Sequence, residues 1–169
     1  MNVVDVIVRR RVTLGFVAAA VAMALARPTW GSWTAGLIVA LAGECLRVWA
    51  AGHLEKSREV TQSGPYHWMR HPLYVGSAIV AAGVALASGS VLVAVVAAVY
   101  IGTTIPAAVR AENAFLRRTF AAEYERWRDA PAAPRRFSLA RARRNREHRA
   151  VSGLAAGFAF LALKIVLSI

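Results

Sequence analysis

Residues 72–109 read PLYVGSAIVAAGVALASGSVLVAVVAAVYIGTTIPAAV, 38 residues without one Asp, Glu, Lys or Arg. A membrane-spanning helix takes about 20 mostly apolar residues. The block is too long for one span and suited to two. Ser88-Gly89-Ser90 near its middle is the place to turn, because Gly and Ser favour turns. Working outward, Trp30 to Gly52 is a second apolar block, interrupted only by Glu44 and Arg47. Val12 to Ala26 is another, and Ala150 to Ile169 a fourth, with Lys164 near its end. The pattern predicts five spans, near 12–27, 31–52, 72–87, 91–109 and 150–169. The expected fold is an all-α, polytopic integral membrane helical bundle, one domain over 1–169, with about five transmembrane helices and a cytoplasmic amphipathic helix. The first block has a rival reading. Arg9-Arg10-Arg11, an apolar run and Ala24-Leu25-Ala26 have the form of a signal peptide. The immediate succession of a further span favours a membrane helix.

The 169 residues carry 21 Lys and Arg against 9 Asp and Glu, a net charge of +12, and are 57% hydrophobic. A charge so positive points to nucleic acid, and a mean hydropathy of +0.46 points to a membrane. The position of the charges decides between them. With the amino terminus in the cytoplasm, five spans place 53–71 and 110–149 on the same side. That side then holds 18 of the 21 basic residues, and the outer loops hold only Arg27. This is the asymmetry of the positive-inside rule, so the high charge reads as topology and the nucleic-acid reading falls away. The 18% of charged residues argues against disorder. A lone cysteine, Cys45, excludes an internal disulfide and a cysteine metal cluster, and it reads as a buried small hydrophobe.

Two cytoplasmic stretches have patterns of their own. Leu116, Phe120, Tyr124 and Trp127 form one apolar stripe, predicting a helix over 110–128 that Ala130 to Pro134 breaks. Residues 135–149 carry seven arginines and one acid, Glu147. They predict a helix lying on anionic headgroups of the inner leaflet, or simply a stop signal for the last span.

The segment from Gly64 to Gly76 carries the chemistry. Gly64-Pro65 signals a turn. His71-Pro72 then enters the next span, with Pro72 suited to a first helical turn. Arg70 and His71 therefore sit at a helix amino terminus on the cytoplasmic face, where an anionic ligand group is favoured. The two spans that follow return the chain to the same face at Arg110-Ala111-Glu112-Asn113. Glu112 shares a helix face with Leu116 and Phe120 and should point into the bundle. A positive helix end facing a carboxylate suits a zwitterion.

The Gly-Pro-Tyr, Arg-His-Pro, Tyr and Gly pattern, followed by a hairpin and then Glu112, Leu116, Phe120, Glu123 and Tyr124, resembles the isoprenylcysteine carboxyl methyltransferases. The phospholipid methyltransferases of the same superfamily are similar. The resemblance covers about residues 44–128. It implies a methyltransferase that binds S-adenosylmethionine at the cytosolic face and takes a lipophilic or membrane-embedded acceptor. Carried over by position, it implies cofactor contacts from Gly64, Pro65, Tyr66, Arg70, His71, Tyr74, Gly76, Glu112 and Asn113, and no metal. Arg110, Glu112 and Tyr74 are the candidates for orienting or deprotonating the acceptor. The chain departs from the pattern at Asn113, where the family has a second acid, and at Phe120-Ala121, where it has Phe-Gly. It also continues into 135–149 and a fifth span.

Two other classes compete. Membrane steroid and sterol reductases share a similar Arg-His-Pro-x-Tyr-x-Gly string and would bind NADPH. A non-enzymatic membrane protein that holds anionic lipid through 135–149 is the second. Glu44 and Arg47, three residues apart inside a span, are either a structural pair or part of a site. His53 and His67 read as interfacial, and Trp30, Trp33, Trp68 and Trp127 as a membrane-interface belt.

Overall fold

A computed structural model of the chain describes residues 3–56, 58–121 and 135–167, and the regular structure among them is entirely helical. Helix α1 runs Val3–Leu25 and α2 runs Trp30–His53. A short 3-10 turn, Gly64–His67, precedes α3 at Pro72–Ala87 and α4 at Val91–Thr119. A short α5, Leu139–Arg144, leads into α6 at Glu147–Leu167. Helices α2, α4 and α6 are long and apolar enough to cross a membrane, and α1 and α3 supply shorter apolar segments. The fold is an all-α membrane bundle of about five spans, and the Ser88–Ser90 turn falls where the uncharged block predicts it.

One end of the bundle is closed by backbone. Thr29 caps α2 by accepting from Ser32 N–H at 3.1 Å, and Ser32 Oγ accepts from Thr29 N–H at 3.0 Å, a reciprocal box. Arg27 N–H donates to Ser88 C=O at 2.7 Å. Lys164, a charge within the last span, reaches the carbonyls of Met23 at 3.1 Å and Ala26 at 2.9 Å, and so covers the open carboxyl end of α1. Beneath lies a small core of Ala26, Ala40, Ala87, Phe158 and Leu161.

Helices α2 and α3 meet through their smallest residues. A Cβ on Gly83 would lie 2.5 Å from Ala40 N, and one on Gly36 would lie 2.4 Å from Gly83 O. In lipid, where apolar side chains gain little by leaving the solvent, this close backbone approach is what holds two helices together. The packing face of α2 carries Gly36, Ala40, Gly43, Glu44 and Ala51, all buried. Cys45, one position round from that face, is exposed, so the expected buried thiol is corrected by helical geometry.

Two other expectations change. Residues 91–109 and the start of 110–128 form one uninterrupted helix, α4, which passes through Pro106. The hydroxyls of Thr103 and Thr104 donate to Val99 C=O and Tyr100 C=O in the turns beside it. Tyr124, Trp127, Glu123 and the break at 130–134 lie outside the described residues. The arginine-rich 135–149 segment is not one helix. Its arginines 135 and 141 turn toward the protein, because two acids and the open end of α2 lie there. Arg135 holds Glu59 through two bonds, 2.5 and 2.8 Å. Arg141 Nε meets Glu55 at 2.7 Å, and its Nη1 donates to Gly52 C=O at 2.6 Å. Asn145 donates to Ala51 C=O and Leu54 C=O at 2.8 and 2.9 Å. The segment thus satisfies the last carbonyls of α2, while Arg136, Arg143, Arg146 and Arg149 remain exposed.

Candidate active site

At the other end of the bundle, the turn 64–67, the start of α3 and the continuation of α4 enclose a cavity of about 330 Å³. Gly64 permits the turn: its φ is 60°, and a Cβ there would come within 2.6 Å of the His53 ring. His53 is buried rather than interfacial, with Nδ1 3.1 Å from Ser63 Oγ. Pro72 occupies the first turn of α3, and His71 stands at the N-cap.

Five of the residues expected from the sequence line this cavity: Tyr66, Arg70, His71, Tyr74 and Glu112. His71 Nδ1 lies 3.8 Å from Glu112 Oε2 across 41 residues of sequence. Its Nε2 lies 3.0 Å from Asn113 Oδ1, so Asn113 stands behind the histidine. The Tyr74 ring sits 5.8 Å from the His71 ring. Tyr66 is buried, and burial, reinforced by the negative charge of Glu112, pushes its phenol well above the ordinary tyrosine range. It remains a neutral hydrogen-bond donor on the cavity wall.

The other expected residues take different places. Pro65 is buried within the 3-10 turn. Gly76 faces α2, where a Cβ would lie 2.6 Å from Arg47 Cγ and 2.8 Å from Gly43 O. Both lie behind the cavity wall, as Gly64 does. Arg110 is exposed on α4, outside the lining.

The cavity also has walls the sequence reading did not name. Lys56, Glu59 and Thr61 come from the loop after α2, and Asn145 and Glu147 from the α5–α6 junction. Glu147 has a readable signal, as the one acid in 135–149 at the head of an apolar block. Its partner is Arg47, whose Nη2 lies 2.5 Å from Glu147 Oε1 and whose Nε lies 3.2 Å from Glu44 Oε2. Arg47 Nη1 also donates to Ser77 Oγ on α3. The intramembrane pair is therefore a junction of α2, α3 and α6 beside the cavity. Leu54, Leu73, Phe115 and Leu116 give the cavity an apolar side. Among the described residues, no group of three or more His, Cys, Asp or Glu side chains converges as a metal site.

A cavity of this kind can hold a ligand that carries both charges and an apolar part. The phospholipid methyltransferase family matches residues 20–123, more than half of the chain. The cobalt-zinc-cadmium resistance protein CzcN of Cupriavidus metallidurans is 34% identical over 140 residues, 78% of this chain and 64% of that protein. The nickel-cobalt-cadmium resistance protein NccN of Alcaligenes xylosoxydans xylosoxydans is 32% identical over 110 residues, 64% of this chain and 52% of that protein. The chain thus spans between about half and two thirds of the length of these relatives. No solved structure matches it at a significant level. The family match, over more than half of a chain whose helices are long and apolar enough to cross a membrane, places this chain in the phospholipid methyltransferase family, a family of membrane methyltransferases.

Proposed function

We propose that this protein is an S-adenosylmethionine-dependent methyltransferase acting on a lipophilic or membrane-embedded acceptor. The observation that carries the reading is the meeting of Arg70 and His71, at the amino end of α3, with Glu112 of α4 around one cavity. The donor set fits the cofactor's amino-acid end, which bears a carboxylate and an ammonium. Arg70 and the positive end of the α3 dipole would hold the carboxylate. Glu112, whose side chain is 41% exposed and so free to accept further bonds, would hold the ammonium. When bound, the cofactor supplies an electrophilic methyl group on a sulfonium.

The chain's own work is alignment and shielding. Asn113 fixes the His71 ring, and Tyr66 offers a neutral phenol to an acceptor or cofactor oxygen. Leu73, Phe115 and Leu116 admit the apolar body of an acceptor from the bilayer side while its polar end stays in the cavity. Holding nucleophile and methyl group in line lowers the barrier by several kcal/mol in favourable cases, about 7–11. An amine acceptor would lose its proton to Tyr74, His71 or Glu112, and a carboxylate acceptor needs no base. Arg110, exposed beside the cavity-lining Ala111, would meet an anionic headgroup in the membrane surface. The exposed arginines 136, 143, 146 and 149 extend that basic surface toward anionic lipid, at about 1 kcal/mol each. The same basic end would face the cytoplasm by the positive-inside rule.

Isothermal titration of the purified protein with S-adenosylmethionine tests the reading. Binding is expected in the wild type and lost in His71→Ala and Glu112→Ala. Affinity that is unchanged in both variants overturns it. Methyl-labelled cofactor incubated with a membrane lipid extract then identifies the acceptor. The relatives are named for resistance to nickel, cobalt, zinc and cadmium, which makes tolerance of those ions the phenotype to score beside the assay.

A further inference from the structure

The bundle holds a second cavity, of about 340 Å³, among α1, α2, α3, α4 and α6. Ala18, Ala22, Val80, Val93 and Ala97 form apolar walls, and its charged groups are confined to one patch, Glu44 and Arg47, with Ser77 beside them. Glu44 lies nine residues before the end of α2, about 13 Å down its axis and well inside the span.

Among the described residues, two carboxylates at that patch, Glu44 and Glu147, share the guanidinium of Arg47. Glu44 is 6% exposed. Its Oε2 meets Arg47, but its Oε1 is buried and has no hydrogen-bond partner among the described residues. A buried acceptor is normally satisfied. An orphaned carboxylate oxygen at the wall of an apolar chamber is complementary to a cationic donor carried on an apolar body.

We propose that this chamber is a second ligand site, separate from the His71–Glu112 cavity, which takes a compact lipophilic ammonium with its N–H directed to Glu44 Oε1. Glu147 lines the first cavity and Arg47 the second, so the Arg47–Glu147 pair is the partition between the two sites.

The test uses the full chain in nanodiscs of neutral phosphatidylcholine, with octylammonium and 1-octanol as probes, read as saturable shifts in thermal unfolding. The wild type is expected to take octylammonium at least about tenfold more tightly than octanol. Glu44→Gln keeps the size of the side chain and removes its charge, and the preference is expected to fall to about twofold or less. Should that variant fail to fold, Ala97→Phe fills the chamber and leaves Glu44 and Arg47 in place; octylammonium binding is then expected to weaken about tenfold. Equal affinity for amine and alcohol in the wild type overturns the proposal, as does a preference that survives Glu44→Gln or, in its place, octylammonium binding that Ala97→Phe leaves unweakened. S-adenosylmethionine titrations on the same samples separate this from the active-site reading. Glu112→Ala should lose the cofactor and keep the octylammonium preference, and loss of that preference would move the amine to the first cavity and overturn the proposal.

Discussion

His71 Nε2 lies 3.0 Å from Asn113 Oδ1, a side-chain bond that ties the start of α3 to α4 across 42 residues of sequence. An amide oxygen only accepts, so this bond is made by the imidazole tautomer with its hydrogen on Nε2. The other ring nitrogen, Nδ1, is left toward Glu112, 3.8 Å from Oε2. Asn113 does not line the cavity, but it holds the Nε2 side of an imidazole that does.

Asn113 is therefore expected to act as a positioning residue for the proposed cofactor site. Asn113→Ala removes the hydrogen bond to His71, worth about 1 kcal/mol, or roughly fivefold in S-adenosylmethionine affinity. Asn113→Asp keeps an acceptor at the same place and should restore most of that loss. Titration calorimetry on the two variants checks it. If alanine and aspartate weaken binding equally, the bond to His71 is not what the residue contributes.

Arg47 should be the most costly single polar side chain to remove within the spans. It faces Glu44, Glu147 and Ser77 from one position. Deleting one partner of a buried charge pair leaves the others uncompensated and costs about 3–5 kcal/mol. Replacing the whole cluster by apolar residues of similar size is often neutral. Arg47→Met alone is therefore expected to lower the unfolding midpoint in detergent sharply, and Glu44→Leu/Arg47→Met/Glu147→Leu together to recover much of it. A triple variant less stable than Arg47→Met would show that the cluster does more than satisfy its own charges.

The contrast between Arg47 and Asn113 shows how far the sequence could be read. Apolar block lengths and the Ser88-Gly89-Ser90 turn place the helices, because span length is set by the bilayer and not by tertiary detail. The hairpin between His71 and Glu112 follows from the same lengths, which is why two residues 41 apart could be put at one level. What stays hidden is pairing that depends on helix rotation and on chain returning from far away. Arg47 has Glu44 as a visible neighbour, but Glu147 lies 100 residues on, in a run that reads as a surface charge. Glu55 and Glu59 look like ordinary loop acids until arginines 135 and 141 fold back on them. Gly76 matches a binding motif and yet serves the α2–α3 contact, a distinction that only the close approach of Gly43 reveals.

The clasp between Glu55 and the 135–145 segment should open in acid. Hydrogen bonding from Arg141, strengthened by the charges of Arg141, Arg144 and Arg135, holds the Glu55 carboxyl below its ordinary value of 4.5. A depressed carboxylate contributes its stability above the unfolded value and loses it as pH falls through the folded one. Hydrogen exchange of residues 138–145 is expected to be unchanged from neutral pH down to about 4.5, after correction for the intrinsic rate, and to rise below it. Glu55→Gln should show fast exchange already at neutral pH and a flatter profile. An acid transition of equal size in Glu55→Gln would assign it to another group.

The glycines of the bundle should divide into two classes by substitution. A Cβ at Gly83 would lie 2.5 Å from Ala40 N and 2.7 Å from Gly36 O, both backbone atoms that cannot yield without separating α2 from α3. Overpacking of this kind costs about 1–3 kcal/mol where side chains can shift, and more where backbone must. Gly83→Ala is expected to lower the unfolding midpoint, and Gly83→Leu to prevent folding of the α2–α3 pair. Gly102, by contrast, has nothing within 4 Å of a built Cβ. Its replacement by alanine removes a flexible residue from the middle of α4 and should leave stability unchanged or raise it by up to about 1 kcal/mol. Thermal unfolding in one detergent compares the two directly. A Gly83→Ala protein as stable as Gly102→Ala would mean that α2 and α3 do not approach as closely as their small residues allow.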